Sequence, residues 1–148
     1  MRERPRDINV QVGVADAAST LRYYSFNDPA LNTFDRSLME WRVANTPYRV
    51  IGEIEVPVER LDAILRKHMP SGRRIDFISI DVEGLDLAVL RSNDWSAFRP
   101  HCVLVEALGI SLEAVMDSEV CGYLRGQGYE LFSKLFNSLI FRERSASS

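Results

Sequence analysis

Apolar and polar positions alternate along this chain in two different periods, and the switches between them outline its elements. In 8–16, Ile8, Val10, Val12 and Val14 recur at every second position, which predicts a strand. The segment 20–26, TLRYYSF, is aromatic and β-branched and reads as a second strand. Asn, Asp and Pro in NDPALNTFD then mark a loop. A short helix follows over 36–45, with Leu38, Trp41 and Val43 along its apolar face. Segment 48–58 returns to a strand pattern, and Pro57, which cannot donate to a ladder, puts the end of that strand at an edge.

The period changes again at 58–69. Leu61, Ile64, Leu65 and His68 fall on one helical face, and Pro70, Ser71 and Gly72 end the helix. His68 lies in the last turn, where a cation favours the helix dipole; that reading is preferred to a ligand role. The run IDFISIDV is continuously apolar, as expected of a strand buried on both faces of a parallel sheet. It passes through Gly84 into a helix over 84–92. HCVLVEA (101–107) is a second apolar strand, a helix spans 111–128 with Ser111 as its cap and Gly126–Gly128 as its stop, and 129–144 folds as two strands around a turn at 135–137. This order predicts a single α/β domain over 1–148 with a mainly parallel sheet, a C-terminal antiparallel hairpin and a disordered tail at 145–148.

Composition changes this picture little. The chain has 148 residues, 46% hydrophobic and 26% charged, with a net charge of -3, so no global field favours nucleic acid. Arg2, Arg4 and Arg6 read as a solvated terminus. No apolar run approaches the ~20 residues of a membrane span, and no secretory signal core is evident. Cys102 and Cys121 have no framework spacing, which fits a reducing compartment, and a cytoplasmic location is expected.

The candidate chemistry lies where apolar strands end in acid. One ends at Asp81 and Glu83, the other at Glu106. In open parallel sheets ligands bind beyond the carboxyl ends of strands, so these carboxylates should share one rim. The simpler alternative is that Asp81 or Glu83 caps the following helix. Neither a nucleophile motif nor a phosphate-binding glycine loop is present in the sequence.

IDFISIDVEGLDLAVL, with its Asp81-Val82-Glu83-Gly84 turn and then Asp86, Leu87, Val89 and Leu90, resembles the FkbM-type methyltransferases. GVAD at 13–16, LNTFD at 31–35 and IEVPVERLDAIL at 54–65 extend the resemblance over nearly the whole chain. The resemblance implies a Rossmann-like class I fold and methyl transfer from S-adenosylmethionine to a hydroxyl of a small molecule or sugar. It implies that Asp81 faces the cationic sulfur, and that Glu83 or Glu106 contacts or deprotonates the acceptor. Asp16 would sit near the adenine. Asn32 and Thr33 could reach the acceptor, although ordinary turn chemistry also accounts for both.

The family's first strand and its glycine-rich loop have no counterpart before Ile8, so the resemblance implies an N-terminally incomplete domain. Poor binding of S-adenosylmethionine by this chain alone is therefore expected. The strand DFISI would present an open edge, which invites a missing N-terminal segment or a second copy. Within one chain, the expectation is that INVQVGV slides over to pair with it. Two other functional classes stay open. One is a non-catalytic remnant or interaction module; the other is a metal-dependent enzyme using Asp81, Glu83 and Glu106. A lone Asp-x-Glu is a weak metal signal, so no metal ligand is assigned.

Overall fold

The computed structural model describes residues 7–144, which carry seven strands and five α-helices. The basic cluster at Arg2, Arg4 and Arg6 and the tail at 145–148 lie outside the described residues. Strands β1 (Gly13–Val14), β2 (Ser19–Phe26) and β3 (Val50–Glu59) form one sheet in the order β1-β3-β2. Strands β4 (Phe77–Ile80), β5 (Cys102–Glu106), β6 (Tyr129–Leu135) and β7 (Ser138–Glu143) form the other, in the order β4-β5-β7-β6. The helices are α1 (Arg36–Asn45), α2 (Leu61–His68), α3 (Asp86–Arg91), α4 (Leu112–Val115) and α5 (Glu119–Gly126).

The α/β class holds, but the mainly parallel sheet does not. Only the β1–β3 and β4–β5 ladders run parallel; β2–β3, β5–β7 and β6–β7 are antiparallel. A parallel pair needs a crossover, and α3 supplies one between β4 and β5. The β6–β7 hairpin turns back directly, so β7 meets β5 antiparallel.

The first strand is also shorter than expected. Gly13 and Val14 pair with Val58 and Glu59 of β3, while Ile8 and Val10 are exposed. This segment does not slide over to β4. It is held at β3, where Gly13 comes so close that a Cβ there would lie 2.6 Å from Val58 Cγ1. β4 is consequently an edge strand, and its Phe77 is 62% exposed, so the apolar run does not report burial on both faces. Pro57 lies in the middle strand of its sheet, but the β1 ladder reaches only Val58 and Glu59, so Pro57 itself faces β2 alone.

Two helices depart from expectation for local reasons. The 111–128 helix is broken because Ser118 acts as a second cap, its hydroxyl accepting from Cys121 N at 3.2 Å, after Ser111 has capped α4 in the same way. On α1, Trp41 and Val43 are exposed, and the side facing the protein carries Leu38, Met39 and the buried Arg42.

The core is built on the four-stranded sheet. Val103, Val105, Leu139 and Phe141 pack with Val89 and Leu90 of α3, Val115 of α4, and Cys121 and Leu124 of α5. Each such side chain contributes roughly 1.5–3 kcal/mol by leaving water. Trp95 closes the core with its indole N–H donating to Leu90 O and Tyr123 Oη, both at 3.1 Å.

Candidate functional site

Because β4 and β5 are parallel neighbours in the register Ile80↔Val105, their carboxyl ends coincide. Asp81 leaves the end of β4, and Glu106 is the last residue of β5. The turn after β4 brings in Glu83, and carboxylate oxygens of Asp81, Glu83 and Glu106 all lie within 4.8 Å of one another. The sheet is mixed, yet the expected shared rim is present.

The turn carrying Glu83 is unusual in its backbone. Glu83 and Gly84 both have positive φ, 50° and 104°. A non-glycine residue held there costs on the order of 1–3 kcal/mol unless its surroundings impose it. Here they do. Thr33 Oγ1 donates to the Glu83 carbonyl at 2.7 Å and accepts from Asp35 N at 2.9 Å. Arg42 pairs with the Glu83 carboxylate, and its other terminal nitrogen donates to Leu31 O at 2.7 Å. A Cβ on Gly84 would stand 3.0 Å from Asp35 Oδ2 and 3.3 Å from Leu38 Cδ2, so the loop and α1 close directly on the turn.

Neither Asp81 nor Glu83 caps α3, whose cap position, Leu85, has no side-chain hydrogen bond. Asp86 in the first turn approaches Gly84 N at 3.4 Å instead, and its Oδ1 is buried with no hydrogen-bond partner. Burial pushes the Asp86 carboxyl above its ordinary range.

Glu106 is the most perturbed acid of the site. Partial burial, then the charges of Asp81 and Glu83 and a hydrogen bond with Asp81, push its carboxyl up to about 7. A carboxyl poised near neutrality can accept or return a proton at working pH. Among the described residues no cation pairs with Asp81 or Glu106, whereas Glu83 has Arg42. The spacing of the three carboxylates would suit a hard cation. Arg42 already pairs with one of them, Glu83.

A cleft of about 230 Å³ opens beside Glu106, lined by Leu38, Gly84, Asp86 and Leu108. A larger groove of about 350 Å³ runs past Gly13, Tyr23, Phe34, Ile54 and Val56, but none of its lining residues is an acid, a histidine or a cysteine. The smaller cleft is bordered by the carboxylates of Asp86 and Glu106.

Of the other residues singled out in the sequence, Thr33 touches the cluster only through the Glu83 carbonyl, and Asp16 and Asn32 make their hydrogen bonds elsewhere. Asp16 is exposed after β1, and its carbonyl accepts from Arg60 at 2.7 Å. Asn32 Oδ1 accepts from Phe26 N at 2.8 Å, and Thr33 is 1% exposed. Arg42 escaped the sequence reading. Its signal was position: it lies four residues after Leu38, on the inward stripe of α1, where a charge requires a buried partner.

Among the described residues no helix is long and apolar enough to cross a membrane. No curated protein and no solved structure matches the chain. The family profile described as the methyltransferase FkbM domain matches residues 1–131 of the 148. With its acid-ended parallel strands and the Asp81–Gly84 turn inside that match, the chain belongs to the FkbM methyltransferase domain family.

Proposed function

We propose that the chain transfers a methyl group from S-adenosylmethionine to a hydroxyl of a small molecule or sugar, with Glu106 taking the hydroxyl proton. The observation that carries this reading is the juxtaposition of Asp81 and Glu106, with Glu106 pushed up to about 7 beside an open cleft. S-adenosylmethionine supplies a methyl group on a cationic sulfur. Asp81 is exposed and has no cation of its own among the described residues, which suits it to face such a charge. Glu83 is occupied by Arg42, so Glu106 is the better base. Alignment of acceptor and base within the cleft supplies the rest of the rate.

A second reading rests on the open side of β4, where Phe77 stands exposed on an edge strand. There an additional segment or a second copy would add a strand, and the chain would serve as an interaction module.

One experiment separates the two. The chain is incubated with S-adenosylmethionine and a panel of hydroxylated small molecules and sugars, and S-adenosylhomocysteine is measured from pH 5 to 9. Turnover that rises through about pH 7 and is lost in Glu106→Gln supports the enzyme. Turnover with an unchanged profile in Glu106→Gln removes Glu106 as the base. No turnover, no calorimetric binding of the donor, and a defined dimer on size exclusion favour the module.

A further inference from the structure

Arg42 is 5% exposed, and a guanidinium so placed requires an anion. It spans two segments far apart in the chain: Glu83 in the turn after β4 and the carbonyl of Leu31 in the loop before α1. Arg42 itself lies on α1, whose cap Asp35 and first-turn Leu38 close over Gly84. The charged groups that reach Glu106 are Asp81 at the end of β4, and Glu83 and Asp86 in the turn and first helical residue after it. On β7 the residue opposite Glu106 is the neutral Ser138. Glu106 thus faces three acids, of which Arg42 binds one.

We propose that Arg42 is the positioning residue of this site: by binding Glu83 it offsets part of that carboxylate's charge and so limits how strongly Glu83 repels Asp81 and Glu106. This rests on Glu106 being the base of the proposed methyl transfer, but the geometry stands whether or not a methyl group is moved. Three uncompensated carboxylates within 4.8 Å would repel one another and hold a proton too tightly to exchange it near neutrality. With Arg42 bound to Glu83, the proton on Glu106 is held mainly by its partial burial and the charge of Asp81, and less by that of Glu83. Arginine suits the task because its planar fork satisfies a carboxylate and a backbone carbonyl at once.

The test is a carbon-13 NMR titration of the side-chain carboxyls in the full chain, with amide spectra confirming the fold of each variant. In the unsubstituted protein the Glu106 midpoint is expected at about 7. Arg42→Met should raise it by roughly one unit or more, because Glu83 then acts as an unscreened like charge. Arg42→Lys should restore most of the original midpoint. Glu83→Gln should lower it, since a negative charge is lost and Arg42 is left unneutralised. That last variant keeps the proposal exposed even if Arg42→Met fails to fold. A Glu106 midpoint unmoved in folded Arg42→Met, or unmoved in Glu83→Gln, overturns the proposal. Shifts of the expected sign in a chain that transfers no methyl group would retain the role of Arg42 and discard the enzymatic reading.

Discussion

In the four-stranded sheet Val103, Val105, Leu139 and Phe141 are at most 1% exposed, whereas in the three-stranded sheet Ile51 and Ile54 are 64% and 59% exposed. Both sheets have apolar strands, yet only the first has helices packed into a common core with it. The second buries little more than Ala15, Tyr24, Phe26 and Val58. Its contribution is positional. Tyr24 and Thr33 exchange backbone hydrogen bonds of 2.9 and 3.1 Å, and Thr33 in turn holds the carbonyl of Glu83. One sheet supplies the stability and two of the carboxylates. The other carries the loop and α1 that shape the turn between them.

Truncation in the core should give the largest effect. Phe141→Ala is expected to cost about 3–5 kcal/mol in chemical denaturation, since a fully buried ring leaves a cavity. A loss below ~1 kcal/mol would mean that the four-stranded sheet is not the stable half. Gly84→Ala comes next. Its φ of 104° disfavours any Cβ, and Asp35 and Leu38 stand in the way. A loss of roughly 1–3 kcal/mol is expected, with amide shift changes at Thr33 and Asp35. Changes confined to residues 83–85 would show that the two halves do not communicate there.

The pH dependence tests the site itself. Glu106 is raised from 4.5 to about 7 in the folded chain, so the folded state binds the proton more tightly than the unfolded one. The resulting contribution to stability is fully present below 4.5 and is lost as pH rises through about 7. Glu106→Gln should remove this slope, and its stability should exceed that of the unsubstituted chain most clearly near pH 8. Denaturation curves from pH 4 to 8 provide the check, and parallel profiles for the two proteins would contradict it. The smallest effect is expected on the open sheet. Ile54→Ala should change stability by no more than ~0.5 kcal/mol. Amide exchange should nevertheless run faster in β2 and β3 than in β5 and β7. Equal protection in both sheets would dissolve the comparison.

Much of this arrangement was legible in the residues. The helix at 36–45 lies where the sequence pattern puts it, although Trp41 and Val43 of that pattern are exposed and its start is fixed by Asp35, which accepts from Leu38 N at 3.1 Å. The shared rim followed from two apolar strands that each end in acid. Strand direction was not legible, because an apolar run looks the same whichever neighbour it pairs with, and β7 joins β5 through contacts distant in sequence. Arg42 was hidden for a different reason. Periodicity searches for apolar stripes, and a buried cation interrupts the stripe it occupies. Its partner, Glu83, lies 41 residues away, beyond the reach of any local pattern.

The left-handed backbone at Glu83 constrains how this chain can change over generations. Selection for stability alone would favour glycine or asparagine at such a position. Either substitution would strand the Arg42 guanidinium in the interior, and replacing Arg42 first would strand the Glu83 carboxylate. Each single step passes through a less stable protein, while the two changes together need not, since residues in direct contact do not contribute additively. The pair therefore behaves as one heritable unit. Relatives that lack an acid at the position of Glu83 should also lack the cation at that of Arg42, and lineages holding one without the other should be short-lived.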